Sequence, residues 1–281
     1  MLCAKIIWRK SLTVQFDRGY IIPAVNTNST DYVQCARVLA KSIKYWHPTA
    51  NVCLLTDALV DEPVFDLIKI LPFGDQATNT QWKLSNDWQV FWASPYRQTI
   101  KLEADMLITN PIDHWWDILD KRDVVISRGC RNFLNQQSTS RQYRKAFDQN
   151  QLPDLYNAIT YWRLSKTAQT FFSRVRHIFE NWQIYRNALT GVDAEFADTD
   201  LAYAIAARIV GEELVTLPDS IDFPAIIHMK RYHNNCEAEN WLDQLVWEFD
   251  RGNIRINTIA QEYPFHYHEK SFAKLVEPYY E

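Results

Sequence analysis

The segment from Tyr96 to Pro111 constrains the fold most strongly, because it has the pattern of a buried strand that carries two acids. Apolar and charged residues alternate from Ile100 onwards, so a period of two puts Glu103 and Asp105 on one face, about 6.5 Å apart. The carboxyl end of a core strand is where open α/β sheets bind ligands. We therefore expect a hard divalent cation at this pair, where it can also hold the phosphates of a nucleotide. The alternative is an exposed strand edge whose polar face is acidic without binding anything.

Glycine is scarce in this chain, and the spacing of the six glycines matters. No two of them are close enough to form a Gly-x-Gly-x-x-Gly turn or a Walker loop, which cradle phosphate with backbone amides. A Rossmann dehydrogenase and a P-loop NTPase are therefore disfavoured. If the protein handles a nucleotide, a metal ion at Glu103 and Asp105 must supply the positive charge.

Length and composition predict one catalytic-size domain over residues 1–281. The chain has 281 residues, of which 47% are hydrophobic, enough to bury a large α/β core. No segment approaches the roughly 18 uninterrupted apolar residues of a membrane span, and the apolar run near the start is too brief for a signal peptide. Five widely spaced cysteines without a Cys-x-x-Cys motif predict reduced thiols, with no disulfide frame and no structural zinc. We expect a cytoplasmic protein with no membrane partner.

Strand and helix patterns alternate along the chain, which predicts a mostly parallel sheet with flanking helices. Strands are predicted at residues 19–26, 51–57, 65–71, 96–109, 123–127, 156–164 and 226–230. Helices are predicted at residues 31–46, 85–93, 165–185, 198–210 and 239–249. The polar stretch at 131–140 is predicted to be a flexible loop that closes over a substrate.

Charge is unevenly distributed along the chain. The net charge is −4, yet residues 121–186 hold 12 basic and 4 acidic side chains. The densest part of this segment includes Arg128, Arg131, Arg141 and Arg144. Such a segment is typical of a surface that faces a polyanion. The alternative is a solvated helical face that is paired with acidic neighbours.

Several motifs, taken in order, resemble those of the GT-A glycosyltransferases, nearest to the glycogenin-like group that uses UDP-sugars. The matching pieces are Ala24-Val25-Asn26-Thr27 with Tyr32, Thr56-Asp57, Trp82-Lys83-Leu84, Lys101 through Asp113, Tyr156-Asn157, Asp198-Thr199-Asp200-Leu201 and Ile227-His228-Met229-Lys230. The resemblance covers residues 20–231. It implies a GT-A fold in which a nucleotide-sugar-binding half, about 1–120, is fused to an acceptor-binding and metal-closing half, about 121–281.

The chain departs from the family pattern at three places. Glu103 stands where the family has Asp, Asn157-Ala158-Ile159 replaces an Asn-Ser-Gly turn, and Asp198-Thr199 replaces an Asp-Gln pair. The first change keeps the ligand type and lengthens the side chain by one methylene. The others fall near the expected sugar pocket, so the donor sugar and the stereochemical outcome stay open.

The resemblance implies a metal-dependent transfer from a UDP-sugar, with Mn²⁺ or Mg²⁺ as the ion. It assigns the metal to Glu103, Asp105 and His228, and catalysis to Asp105, Asp198 and Asp200. It assigns donor binding to Ala24, Asn26, Thr27, Tyr32, Asp57, Lys83, Glu103 and Lys230. Alternative readings are that His228 is a core imidazole and that Asp198 and Asp200 only cap a helix.

The acceptor is predicted from the basic segment together with the resemblance. Phage enzymes that glycosylate hydroxymethylated bases in DNA resemble this pattern, and they would act in the host cytoplasm. Arg128, Arg131, Arg141, Arg144 and Asn157 are the predicted acceptor-binding residues. Alternatives are a polysaccharide or protein acceptor, a metal-dependent nucleotidyltransferase or nucleotide-sugar hydrolase, and a binding module without turnover. The oligomeric state is left open.

Overall fold

The computed structural model describes residues 14–138, 144–218, 223–230, 240–250 and 252–281. The strands in these ranges are β1 (Phe16–Pro23), β2 (Val52–Thr56), β3 (Leu67–Ile70), β4 (Tyr96–Leu102), β5 (Met106–Leu107), β6 (Val124–Ser127), β7 (Gly129–Arg131), β8 (Tyr156–Arg163), β9 (Ala225–Met229), β10 (Trp247–Asp250), β11 (Asn253–Ile256), β12 (Ile259–Ala260) and β13 (Phe265–Tyr267).

The α-helices in the same ranges are α1 (Tyr32–Trp46), α2 (Val90–Ala93), α3 (Trp115–Leu119), α4 (Lys145–Gln149), α5 (Lys166–Glu180), α6 (Trp182–Ala188), α7 (Thr199–Val210), α8 (Trp241–Gln244) and α9 (Ser271–Val276). Short 3₁₀ helices cover Leu84–Gln89, Glu212–Leu214 and Glu277–Tyr280. Within the described ranges, no helix combines the length and apolar character needed to cross a bilayer.

A central sheet has the strand order β3-β2-β1-β4-β8-β6. The first four strands run parallel, whereas β8 is antiparallel to both β4 and β6. The predicted mostly parallel α/β sheet with flanking helices is therefore confirmed.

Successive residues of β1 show how the core is divided. Ile22 belongs to a buried cluster that includes Leu39 of α1, whereas Ile21 belongs to a second cluster that includes Phe171 of α5. Side chains alternate between the faces of a strand, so neighbouring residues pack against helices on opposite sides. The sheet is buried on both faces, as parallel sheets require.

Local capping chemistry sets the starts of the main helices. The side chain of Asp31 accepts from the backbone N–H of Gln34 at 2.9 Å, and α1 follows. Ser165 caps α5 in the same way through Ala168. Each cap satisfies a backbone donor that has no partner within the helix. The predicted helix starts at 31 and 165 shift by only one residue.

A second sheet, with the order β5-β13-β9-β7, corrects the reading of the acidic segment. The predicted continuous strand through Glu103 and Asp105 is wrong, because β4 ends at Leu102 and the two acids lie in the turn before β5. The reason is a change of sheet: β5 pairs with β13, and Tyr267 donates its backbone N–H to the carbonyl of Asp105 at 3.0 Å.

Two predicted helices are also wrong in their extent. The helix expected over 165–185 is divided at Asn181 into α5 and α6. The helix expected over 239–249 is only the short α8, and the chain then enters β10, which pairs with β11. Pairing with a later strand overrides the local helical pattern there.

Candidate functional site

A cleft of about 1000 Å³ opens at the carboxyl ends of β1 and β4. This is the edge at which α/β sheets bind ligands. Eleven of the residues singled out from the sequence line the cleft, namely Ala24, Thr27, Tyr32, Lys83, Glu103, Asp105, Arg144, Asp198, Asp200, His228 and Lys230.

The two acids of the turn meet a histidine that the sequence analysis missed. His266 Nε2 lies 3.1 Å from Asp105 Oδ2 and 3.4 Å from Glu103 Oε2. Lys270 Nζ contacts the same Asp105 oxygen. One ligand atom from each of Glu103, Asp105 and His266 lies within 4.8 Å of the other two. Two carboxylates and an imidazole at this spacing fit a divalent metal ion.

Three imidazoles stand side by side next to these acids. His228 on β9 is the register partner of His266 on β13, and His268 follows two residues later. Ligand nitrogens of the three rings lie within 4.8 Å of one another, and Nε2 of His228 contacts Nε2 of His268. The sequence signal that could have revealed His266 and His268 is their two-residue spacing at an apolar strand, continued by Lys270.

Burial and neighbouring charges separate the pKa values of these groups. Burial alone would raise the pKa of Asp105, but His266 and Lys270 outweigh it and hold that pKa well below its usual range. Burial opposes a charge on His266, yet Asp105 raises its pKa. Burial and the other two imidazoles hold the pKa of His228 well below the usual value, and burial and His266 lower that of His268 to about 3. The lowered pKa values favour the neutral form of His228 and His268, which is the form that binds metals.

The floor of the cleft is a buried polar network around Lys101. Its Nζ lies 2.9 Å from Asp87 Oδ1 and 3.7 Å from Glu103 Oε1, and it donates to the carbonyl of Asn157 at 3.0 Å. The hydroxyl of Tyr203 donates to the other Asp87 oxygen at 2.7 Å. This network fixes the end of β4, where the turn with the two acids begins.

The opposite wall of the cleft holds Asp198, Asp200 and Arg144. Asp198 caps α7 by accepting from the backbone N–H of Leu201 at 3.1 Å. This agrees with the alternative prediction that Asp198 caps a helix. Burial, reinforced by the charge of Asp200, raises the pKa of Asp198 to about 6. Asp200 accepts from the backbone N–H of Asn157 at 2.6 Å and lies 3.2 Å from Arg144 Nη2.

Arg144 is held on several sides. Its guanidinium carbon lies 3.5 Å from the ring centroid of Phe147 and 4.2 Å from that of Tyr156, and Nη1 lies 2.9 Å from Asp154. Cation–π contacts and ion pairs together fix the side chain in one orientation. Arg144 is therefore a preorganised part of the cleft wall.

Asn26, Asp57 and Asn157 are among the predicted binding residues that do not line the cleft. The side chain of Asn26 accepts from the backbone N–H of Val33 at 2.9 Å and so supports the start of α1. Asp57 is exposed just past the end of β2. Asn157 is fully buried and donates to Asp87 at 3.1 Å, so in this structure it supports the cleft from beneath and does not reach an acceptor.

The other predicted acceptor-binding arginines have local partners. Arg128 lies 3.2 Å from Glu212. Arg131 donates to the carbonyl of Asn135 at 3.2 Å. Arg141 lies outside the described residues. The acidic pairing of Arg128 and Arg144 agrees with the alternative reading, in which acidic neighbours compensate the basic segment.

Comparisons with known proteins give the fold. No family profile matches the chain, and no curated protein sequence matches it. The galactosyltransferase LgtC, in complex with donor and acceptor sugar analogs, has a TM-score of 0.50 at 11% identity, over 92% of this chain and 95% of that chain. An active-site mutant of LgtC also has a TM-score of 0.50, at 12% identity over 89% and 87% of the two chains. The GT-A fold expected from the motifs is thereby confirmed.

Proposed function

We propose that this protein is a metal-dependent glycosyltransferase that moves a sugar from a UDP-sugar to an acceptor hydroxyl. The observation that carries the proposal is the meeting of Glu103, Asp105 and His266 in the cleft of a GT-A fold. A leaving diphosphate needs positive charge at this point, and the chain has no glycine-rich phosphate loop.

The donor nucleotide fits the wall formed by the end of β1 and the start of α1. Ala24, Thr27 and Tyr32 line this wall, and Lys270 Nζ lies 5.7 Å from the centre of the Tyr32 ring. The ring supplies an apolar face for a base, while Lys270 stands between that face and Asp105. Lys230 and Lys83 line the same cleft and are proposed to contact the donor phosphates.

Glu103, Asp105 and His266 would hold the ion, with His228 beside them. When bound, the ion takes up the negative charge that develops on the leaving diphosphate. Carboxylates with imidazole suit Mn²⁺ better than Mg²⁺, which prefers oxygen ligands alone. Lys270 neutralises Asp105 from the other side and adds a second positive group near the phosphates.

The sugar is proposed to contact the opposite wall. Asp200 is oriented by Arg144 and by the backbone of Asn157, so its carboxylate is preorganised to accept hydrogen bonds from sugar hydroxyls. Asp198, with a pKa of about 6, can exchange a proton near neutral pH and is proposed to assist the acceptor hydroxyl.

For the acceptor we retain a hydroxymethylated DNA base as the proposal. It rests on the excess of basic residues in 121–186. The ion pairs of Arg128 and Arg144 reduce the positive charge that these two arginines can offer to DNA phosphates. Support for a DNA acceptor therefore comes from the basic composition of the segment, and the ion pairs weaken it. The test must therefore include carbohydrate and protein acceptors.

The proposal is tested by incubating the protein and Mn²⁺ with a panel of UDP-sugars and several acceptors, with mass spectrometry as the readout. The acceptors are plain DNA, hydroxymethylated DNA, already glycosylated DNA, an oligosaccharide mixture and a protein mixture. We expect an acceptor heavier by one sugar, release of UDP, and no product with Asp105→Asn.

Other outcomes separate the alternatives. Free sugar and UDP with every acceptor would indicate a hydrolase, and transfer of the nucleotide itself would indicate a nucleotidyltransferase. A modified oligosaccharide or protein would replace DNA as the acceptor. If no UDP-sugar is consumed under any condition, the proposed activity is overturned.

A further inference from the structure

The cleft contains more imidazoles than the proposed transfer requires. Two carboxylates and one imidazole suffice to hold an ion for the diphosphate, yet His228 and His268 stand next to His266. These two rings line the same cleft. Their arrangement indicates that this site prefers a second type of metal ion.

We propose that His228, His266 and His268 form a three-imidazole site that binds Zn²⁺ or Co²⁺ without a nucleotide and discriminates against Mg²⁺. This site overlaps the set of Glu103, Asp105 and His266, because His266 belongs to both. The inference rests on the proposed function only for the use of the ion, since binding itself is independent of sugar transfer.

The backbone supports this geometry directly. β9 and β13 are parallel neighbours, and their register sets His266 opposite His228, while the two-residue step brings His268 to the same side. The ring centroids are separated by 5.4 Å for His228 and His266, 4.5 Å for His228 and His268, and 4.7 Å for His266 and His268.

The ligand nitrogens of the three rings lie at separations close to those that one coordinated ion requires. Metal–nitrogen bonds of about 2.0–2.1 Å in a tetrahedral site require ligand nitrogens about 3.3 Å apart. The nitrogens of the three rings already lie within 4.8 Å of one another. Three histidines leave one coordination position open, as catalytic rather than structural sites do.

Neighbouring groups supply the support that metal-binding histidines need. His266 contacts both Asp105 and Glu103, and a carboxylate that orients a histidine is a frequent partner in metal sites. Nε2 of His228 contacts Nε2 of His268, and two neutral imidazoles share only one proton in such a contact. An ion would use the lone pairs of both nitrogens at once.

Ligand chemistry then gives the selectivity. Imidazole suits Zn²⁺, Co²⁺ and other transition ions, whereas Mg²⁺ prefers six oxygens and gives up its water reluctantly. We therefore expect Zn²⁺ and Co²⁺ to bind the imidazoles. Mn²⁺ and Mg²⁺ are expected to use Glu103 and Asp105 together with the donor phosphates.

The test is a titration of the metal-stripped full chain with Co²⁺ in the absence of nucleotide, followed by visible absorption. We expect one Co²⁺ ion per chain, with the intense visible absorption that is typical of a Co²⁺ ion with few ligands. Zn²⁺ should displace this Co²⁺, and excess Mg²⁺ should not. His268→Gln should weaken Co²⁺ binding by more than about 100-fold, beyond the 10–100-fold typical of an outer-shell change.

Two control variants fix the location of the ion. Glu103→Gln removes a carboxylate that contacts His266 and leaves all three imidazoles, so nucleotide-free Co²⁺ binding should weaken by no more than the roughly 10–100-fold typical of an outer-shell change. His177→Gln changes a histidine whose Nδ1 pairs with the hydroxyl of Tyr185 away from the cleft, and it should have no effect on Co²⁺ binding. Loss of binding in Glu103→Gln with retention in His268→Gln would overturn the proposal in favour of the carboxylates.

A measurement on the unmutated protein removes the dependence on variant folding. The ring nitrogens of the histidines are followed by NMR as Zn²⁺ is added, and resonances of three histidines should shift together at one equivalent. Shifts of one ring or none would reject the site. Zn²⁺ binding without sugar transfer would overturn only the proposed function, and transfer without nucleotide-free binding would overturn only the three-imidazole site.

Discussion

Lys101 Nζ lies 2.9 Å from Asp87 Oδ1, and the lysine side chain is completely buried beneath the cleft. Asp87 also accepts from the hydroxyl of Tyr203 and from the side-chain amide of Asn157. The pair thus joins the 3₁₀ helix Leu84–Gln89, β4, β8 and α7 at one point. A charge in this position is tolerated only because its partners are complete.

Replacing Lys101 by Met should destabilise the protein by about 3–5 kcal/mol, because the carboxylate of Asp87 is then buried without its counter-charge. Urea unfolding followed by circular dichroism measures this change. The matched control is Lys44→Met, since Lys44 pairs with Asp66 at the surface at 2.9 Å, and such pairs contribute about 0–1 kcal/mol. Equal effects of the two substitutions would contradict the buried ion pair.

The cluster of ion pairs at Glu277 predicts that the protein loses stability at acidic pH. Arg37 donates to Glu277, and this hydrogen bond, with lesser ones from Lys41 and Gln34, lowers the pKa of Glu277 to about 2. The folded pKa lies below the unfolded one, so the stabilisation is complete above about pH 4.5 and is lost as the pH falls toward 2. Partial exposure limits the contribution to about 1–3 kcal/mol.

The measurement is the free energy of unfolding between pH 6 and pH 2 for the unmutated protein and for Glu277→Gln. The variant should be less stable at pH 6 and should lose less stability on acidification. Parallel pH curves for the two proteins would show that Glu277 titrates normally in the folded state.

Local patterns in the sequence predict the strands of the central sheet and its mostly parallel character, but not the order of the strands. Runs of apolar residues predict β1 and β2, the alternation of apolar and charged residues predicts β4, and the helices predicted at 31–46 and 165–185 start within one residue of α1 and α5. These signals are local, since each depends on residues within one or two turns of chain.

The second sheet depends on pairing across the sequence, which local patterns do not record. The alternation through Glu103 and Asp105 continues unchanged across the turn, so it cannot reveal that the chain leaves one sheet for another. His266 contacts Asp105 from 161 positions along the chain. The sequence therefore predicts two acids and His228 as the ligands, whereas in the structure His266 joins the two acids, His228 and His268 stand beside it, and Lys270 contacts Asp105.

Removing the carboxylate charge of Asp105 should lower turnover by at least about 100-fold, because that carboxylate meets His266 and Lys270 at the proposed diphosphate position. Asp105→Asn keeps the size of the side chain, and steady-state kinetics with a UDP-sugar and Mn²⁺ measures the loss. The control is Asp113→Asn, because the Asp113 carboxylate contacts His47 on another part of the surface. This substitution should leave turnover near that of the unmutated protein. Full activity of the unmutated protein in excess EDTA would contradict the metal requirement.

Charge reversal of Arg128, Arg131, Arg141 and Arg144 tests the DNA acceptor through its salt dependence. Each lost phosphate contact should reduce the slope of log K against log salt by about 0.9, and the loss should be similar for all DNA sequences. Because Arg128 already pairs with Glu212, its single reversal should reduce the slope by less than about 0.9. Binding is measured by fluorescence anisotropy from low to physiological salt, with Lys44→Glu as a charge control outside the basic segment. An unchanged slope in the quadruple variant would indicate a carbohydrate or protein acceptor instead of DNA. The absence of DNA binding by the unmutated protein at low salt would indicate the same.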